Sequence, residues 1–332
     1  MTRILTSERI PQSPSWRSQT TLVALTEEVQ GSRWRPLHAL KNALRLVATA
    51  TSKDIVILTD VHGLSGNLFC LLRQLGSRRP TIIRADALFT LPQRRVVRAL
   101  KRSYIRATMA GVDLMIAWSP STIERYCASL GLQHHKFAAV KFHHTLAGFD
   151  VASVKQGNYI FSGGDSSRDY QTLLQAVSGL NVEVLIATRL ALPKSMNVPS
   201  NVTIRAVTAQ EFRELMAGAS LVVFPLKMDA LRTAGQQSYL NAMALGKAVI
   251  VTDTLDAPFY IEDGRTGRLT PSGDAAALRQ AITDLLASPE KIAALGEAGR
   301  QAALPLDQEY TWSRVLAFAK ATHQARSNPV QP

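Results

Sequence analysis

The chain has 332 residues, 46% of them apolar, with 38 Lys and Arg against 25 Asp and Glu, a formal net charge of +13. That length predicts two domains, each able to bury a core; no apolar run approaches the ~18–20 residues of a membrane span, and the polar N-terminus is unlike a signal peptide. Only two cysteines occur, Cys70 and Cys127, which argues against a disulfide framework or a cysteine zinc site and predicts a cytoplasmic location.

Most of the positive excess lies in residues 1–150, while residues 151–332 are nearly neutral. In chain order the first half predicts strands at "TTLVAL", "KDIVILTD", "PTIIRAD", "VDLMIAWS" and "KFAAVKF", with a further short strand possible at "RILTS". Helical stretches lie between them. One is "LHALKNALRLVA", amphipathic, with Leu37, Leu40, Leu44 and Val47 on one face. No glycine-rich phosphate loop follows the first strand, which argues against dinucleotide binding there.

"LPQRRVVRALKRSYIRATMAG" is the most one-sided segment. Arg94, Arg95, Arg98, Lys101, Arg102 and Arg106 fall within an arc of about 140° on a helix, with Val96, Val97, Leu100 and Tyr104 opposite. No acid occurs between Asp86 and Asp113. A solvated face normally mixes signs, so a face of one sign predicts an anionic membrane surface. Nucleic acid is the competing anion; the single aromatic on the helix, Tyr104, argues against it.

The second half restarts the pattern near Gly157, with strands at "NYIFSGG", "VEVLIAT", "NVTIRAV", "ASLVVFP" and "KAVIVTD". Nearly continuous Val, Ile and Leu runs between helices predict parallel sheets covered on both faces. The expected division is residues 1–150, residues 151–310, and a terminal helix and tail at 311–332. Two turns of this half carry chemistry. The first strand ends in Gly163-Gly164, with Arg168 just beyond; taken alone, this is a tight turn before a surface arginine. The fourth strand leads through Lys227 and Arg232 to Thr233, Ala234, Gly235 and Gln236 at the mouth of a helix that Gly246 stops. A helix mouth free of acids suits an anion. A plain N-cap is the structural alternative.

The succession "IFSGG…RDYQTLLQA", "NVTIRAVTAQEFRELMAGASLVVFP", "TAGQQSYLNAMALGKAVIVTD", "IEDGRTGRLTPSGDAAALRQAITDLL" and "LGEAGRQAAL…YTWSRV" resembles the C-terminal domain of the GT4-like glycosyltransferases, often called glycosyl transferases group 1. The resemblance covers roughly residues 157–315. It implies the GT-B fold, two Rossmann-like α/β domains facing a cleft, the first binding an acceptor and the second a nucleotide sugar. It also implies transfer that retains anomeric configuration, without a metal or other cofactor, from a UDP- or GDP-linked donor. The acceptor implied is a lipid-linked sugar or polysaccharide precursor at the inner face of the plasma membrane. Relative to the family, Thr233 and Asn241 replace two glutamates, the second of which holds the donor ribose. Arg168 stands at the family's lysine, and a glycine, Gly163 or Gly164, at its arginine, so that Lys227, Arg232 or Arg189 would supply the second cation. In the first half the family's histidine at a strand end matches His62 loosely, and Asp86 is the second catalytic candidate. The two glutamate replacements leave open a protein that binds a nucleotide sugar without transferring it. The basic half leaves open a nucleic-acid binder.

Overall fold

A computed structural model describes residues 2–27, 32–59, 63–76, 79–85, 89–193, 195–228, 231 and 234–328. The chain folds as two compact units, residues 1–141 with 308–332, and residues 142–307.

The first unit is built on β1 (Ile4–Thr6), β2 (Thr20–Leu22), β3 (Ile55–Leu58), β4 (Thr81–Ala85), β5 (Leu114–Ala117) and β6 (Phe137–Ala139). They pair in the order β2-β1-β3-β4-β5-β6, every pair parallel. All residues of β3, β4 and β5 are buried, which is why these runs show no alternation. The helices between them are α1 (Pro14–Gln19), α2 (Arg35–Thr49), α3 (Gly63–Gln74), α4 (Arg95–Ala110) and α5 (Pro120–Leu130). Helices α2 to α5 connect successive strands and lie side by side in that order.

The leucine stripe of α2 does not pack on this sheet. Ala39, Asn42, Ala43 and Leu46 are its buried side, while Leu37, Leu40 and Leu44 are exposed. The small side chains let α2 lie close against α3. Asn42 fills the remaining space with hydrogen bonds to both backbone groups of Thr26 and to Ser65 Oγ. The same correction holds for α4: Ile105, Thr108 and Met109 face inward, and Val96, Val97, Leu100 and Tyr104 are exposed.

The second unit holds β7 (Tyr159–Gly163), β8 (Glu183–Ala187), β9 (Val202–Arg205), β10 (Leu221–Phe224), β11 (Val249–Thr252) and β12 (Arg268–Thr270). Their order is β12-β11-β10-β7-β8-β9, again all parallel. The helices are α6 (Tyr170–Val177), α7 (Ala209–Gly218), α8 (Gln236–Ala244), α9 (Ala275–Leu286) and α10 (Pro289–Ala303). Ile160, Leu173, Val177, Val223, Ile250 and Ile282 close one of its cores. Strand order reverses between β7 and β10, and in such sheets ligands sit beyond the carboxyl ends of the strands at that point.

The last helix, α11 (Gln308–Ser327), returns to the first unit. Trp312 packs edge-on against Trp16 at 4.8 Å and Trp118 at 6.3 Å between ring centroids. Arg326 donates to the Pro80 carbonyl at 2.6 Å and pairs with Asp113. The boundary therefore falls at 141/142 rather than 150/151, and the terminal segment belongs to the first unit instead of standing apart, because it supplies the aromatic cover that α1 and β5 lack.

Candidate functional site: the turn of β7 and the mouth of α8

After β7 the chain turns through Gly164, with φ of +112°, and Ser167, with φ of +51°. The first value lies where only glycine is free of strain. The turn is laced to the exit of β10: the Asp169 N–H donates to the Pro225 carbonyl at 3.0 Å, and the Lys227 N–H to the Ser167 carbonyl at 2.9 Å. The two loops at the strand-order reversal are thus one rigid piece.

That piece encloses Arg168, which is 6% exposed. Its Nε donates to the Gly163 carbonyl and its Nη1 to the Ser166 carbonyl, both at 2.8 Å, and its Nη2 to Ser238 Oγ at 2.9 Å. The guanidinium also stands 5.6 Å from the centre of the Phe224 ring. Every one of these partners is neutral. Burial lowers the Arg168 pKa from its ordinary value, yet a guanidinium remains charged in a protein. The reading of Arg168 as a surface side chain is corrected: the cation lies inside the loop pair, not on it.

Directly above it is the mouth of α8. Gly235, at φ of +85°, is its N-cap, no side chain caps the helix, and no acid lies in its first turn. Among the described residues no side chain meets the first amides of α8, and the positive end of the helix dipole lies beside a buried cation of the same sign. Gln236 is buried at 8% exposure, and its Nε2 has no hydrogen-bond partner among the described residues. An anion at this mouth would meet N–H groups beside a buried guanidinium whose hydrogen-bond partners are neutral and whose charge the nearby Asp165 carboxylate offsets in part.

A cavity of about 370 Å³ opens here. Gly164 and Asp165 line it after β7, Thr188 and Arg189 after β8, Thr208 and Phe212 at the start of α7, and Gln237, Ser238 and Asn241 on α8. Its size is within the ordinary range for a small-molecule site. Asp165 accepts from Thr188 Oγ1 at 2.9 Å and from the Arg189 N–H and Nε at 2.8 and 2.7 Å. Burial alone would raise its pKa; these bonds and the Arg189 charge bring it below the usual carboxylate value.

Asn241 lines the cavity but is already engaged. Its Oδ1 accepts from the Thr145 N–H at 2.7 Å, its Nδ2 donates to Thr145 Oγ1 at 3.1 Å, and Gln237 Nε2 donates to the same hydroxyl at 3.0 Å. The residue expected at the ribose holds the segment before β7 onto α8.

Of the expected donor-site residues, Gly164 and Asn241 line the cavity. Gly163, Arg168, Ala234, Gly235 and Gln236 form the turn and helix mouth around it. Lys227 is exposed on the loop after β10 and is not part of the lining. His62, Asp86, Arg232 and Thr233 lie outside the described residues. The basic residues of α4 belong to the first unit. There Arg98 donates to the Pro92 and Gln93 carbonyls, Lys101 to Thr90, and Arg106 to the Leu130 carbonyl at 2.5 Å. Sequence reasoning missed Asp165, Thr188, Thr208, Phe212 and Thr145. Asp165 follows the paired glycines directly and was open to notice; Thr145 is joined to Asn241 only by the fold.

Residues 165–288 match a family model described as glycosyl transferases group 1. Among curated proteins, a GDP-mannose-dependent alpha-(1-6)-phosphatidylinositol monomannoside mannosyltransferase of Mycolicibacterium smegmatis is 42% identical over 66 residues, 20% of this chain and 17% of that protein. An alpha-maltose-1-phosphate synthase of Mycobacterium tuberculosis is 30% identical over 115 residues, 33% of this chain and 28% of that one. The chain thus spans less than a third of the length of these curated relatives. Among solved structures, Anabaena HepE in complex with UDP superposes with a TM-score of 0.67 at 13% identity, over 97% of this chain and 99% of that chain. The chain has the GT-B fold, and its residues 165–288 are similar to the group 1 glycosyl transferases.

Proposed function

We propose that the protein is a glycosyltransferase whose second unit holds a nucleoside-diphosphate sugar, the diphosphate against the α8 mouth. The observation that carries this reading is the buried Arg168, bonded only to neutral acceptors, directly behind an uncapped helix N-terminus. Oriented amides and a fixed charge offset the charge that grows on the leaving diphosphate, a form of stabilisation that needs no metal. HepE in complex with UDP has the same fold, and a UDP- or GDP-linked donor fits the cavity beside α7. The acceptor in this reading is a lipid-linked sugar or polysaccharide precursor at the cytoplasmic membrane face, approached by the basic first unit, and transfer retains configuration. Isothermal titration with UDP, GDP and the matching monophosphates tests it. A diphosphate should bind at least ten-fold more tightly than its monophosphate. Equal affinities, or none, would remove the diphosphate from α8.

A second reading, donor binding without transfer, draws on Asn241, whose two polar groups serve Thr145. Donor turnover in the presence of a bound sugar nucleotide separates the two.

A further inference from the structure

The outward sides of α2, α3 and α4 are apolar where a water-facing surface would be polar. On α4 the face opposite the buried Ile105 and Met109 presents Val96, 72% exposed, and Leu100, 67% exposed. On α2 the face opposite Ala39, Ala43 and Leu46 presents Leu37, Leu40 and Leu44. Between them lies α3, packed against both neighbours. Its buried side is Ser65, Gly66, Phe69 and Cys70, which leaves Leu64, Leu68 and Leu71 half-buried on the outer side at helical spacing. Leu75, just beyond, is 87% exposed. Three adjacent helices therefore expose one apolar sheet of side chains, far beyond the scattered single residues of an ordinary surface.

The charge around it has one sign. Lys41 and Arg45 of α2 stand exposed beside the leucine row of that helix, and none of the three helices contains Asp or Glu. Arg98 and Lys101 fold back to tie the loop at Thr90–Gln93 beneath the exposed first turns of α4. Trp34, 53% exposed, caps the start of α2 under the Arg33 guanidinium, at 5.0 Å.

We propose that the outer face of α2, α3 and α4 is a docking surface for an anionic lipid bilayer, its leucines and valines entering the boundary between acyl chains and headgroups while Lys41 and Arg45 beside them meet lipid phosphates. Apolar residues on a helix face with cations at its edge are what such a boundary selects. Charge complementarity chooses the occupant. A second copy of the chain would bring two faces of the same sign together. Nucleic acid would find leucine rather than stacking aromatics on the outermost rows. None of the described helices is long and apolar enough to cross a membrane, so the contact is a docking in the membrane plane. The inference rests on the reading of a membrane-presented acceptor and gives it a place of attachment.

Vesicle co-sedimentation tests it, using the full chain with vesicles of phosphatidylcholine alone or with a third phosphatidylglycerol, at 0.1 and 1 M NaCl. The wild type should sediment with the anionic vesicles, and a substantial share should stay bound at 1 M NaCl. The triple variant Leu37→Gln, Leu44→Gln, Leu100→Gln should bind at least ten-fold more weakly at high salt. The double variant Lys41→Gln, Arg45→Gln should lose several-fold at low salt only. Trp34 emission should shift to the blue on binding. These leucines support no core, so circular dichroism melts of the variants should match the wild type. Nucleoside-diphosphate titration of the same variants reports on the second unit separately, so lipid binding and donor binding can fail independently. A wild type that stays in the supernatant with anionic vesicles overturns the proposal. So does a leucine variant that sediments like the wild type, or one that merely converts a dimer to a monomer.

Discussion

Arg168 lends its charge to a site whose surface it does not reach. Replacement by alanine removes that charge and leaves two carbonyls and the Ser238 hydroxyl without their donor. Diphosphate affinity should fall by about 1.5–3 kcal/mol, and stability by about 1–3 kcal/mol, since the groups left behind are buried. Arg168→Lys should recover part of the affinity, because the charge remains, but little of the stability, because the three-way fork does not. Calorimetry and urea melts on both variants check this. An alanine variant as stable and as tight as the wild type would make Arg168 incidental. His143 is a second residue with a measurable signature. Burial, reinforced by the neighbouring His144 and opposed by Asp307, lowers its pKa from 6.5 to about 4. A depressed histidine contributes its full stability above about pH 6.5, where it is neutral in both states. As pH falls from 6.5 to 4 the unfolded chain binds the proton first, and up to roughly 3 kcal/mol is lost. Urea unfolding at pH 7 and 4.5 should show this slope in the wild type and lose it in His143→Phe, which keeps a ring against Phe142. Identical slopes in both proteins would assign the acid limb elsewhere.

At the scale of elements, the bond between α8 and the segment entering the second unit invites a paired substitution. Asn241→Leu removes the acceptor of the Thr145 N–H and should cost about 1–3 kcal/mol, whereas Asn241→Asp keeps that acceptor and should cost less than half as much. Hydrogen exchange at the Thr145 amide is the direct measurement: fast in the leucine variant, slow in the aspartate variant. Equal protection in both would show that the segment is held by other contacts. Asn241 also shows where sequence reasoning stops. Its place on α8 was readable from the spacing to Gly246; its partner is far away in sequence, and nothing local points to it. The amphipathic helices show a different limit. Periodicity found the apolar rows of α2 and α4 but not their direction, because the buried row of α2 is small and polar, Ala39, Asn42 and Ala43, and the exposed row is leucine. A pattern that assumes water outside turns such a helix over. The central strands β3, β4, β5, β10 and β11 carried no such ambiguity, being buried on both faces.

At the scale of the whole molecule, ten of the twelve strands among the described residues stood out as apolar runs, the short β1 was marked more faintly by "RILTS", and β12 was not singled out. The unit boundaries were harder to read, since composition changes near Gly157 while the backbone changes unit at Lys141. Nothing in the residues of α11 announces that its partners are Trp16 and Trp118. Deleting residues 308–332 should leave the second unit folded and able to bind a diphosphate, while the first loses its cooperative melt and its buried tryptophans shift their emission to the red. A first unit that melts as before would show α11 to be mere cover. The same return of the chain sets a timetable for biosynthesis. The first unit emerges from the ribosome with the side of its sheet meant for α11 uncovered, and it waits while residues 142–307 are made, roughly ten to thirty seconds at ordinary elongation rates. The half of the protein made first is therefore the half finished last, and during that interval its uncovered tryptophans are the surface a chaperone would hold.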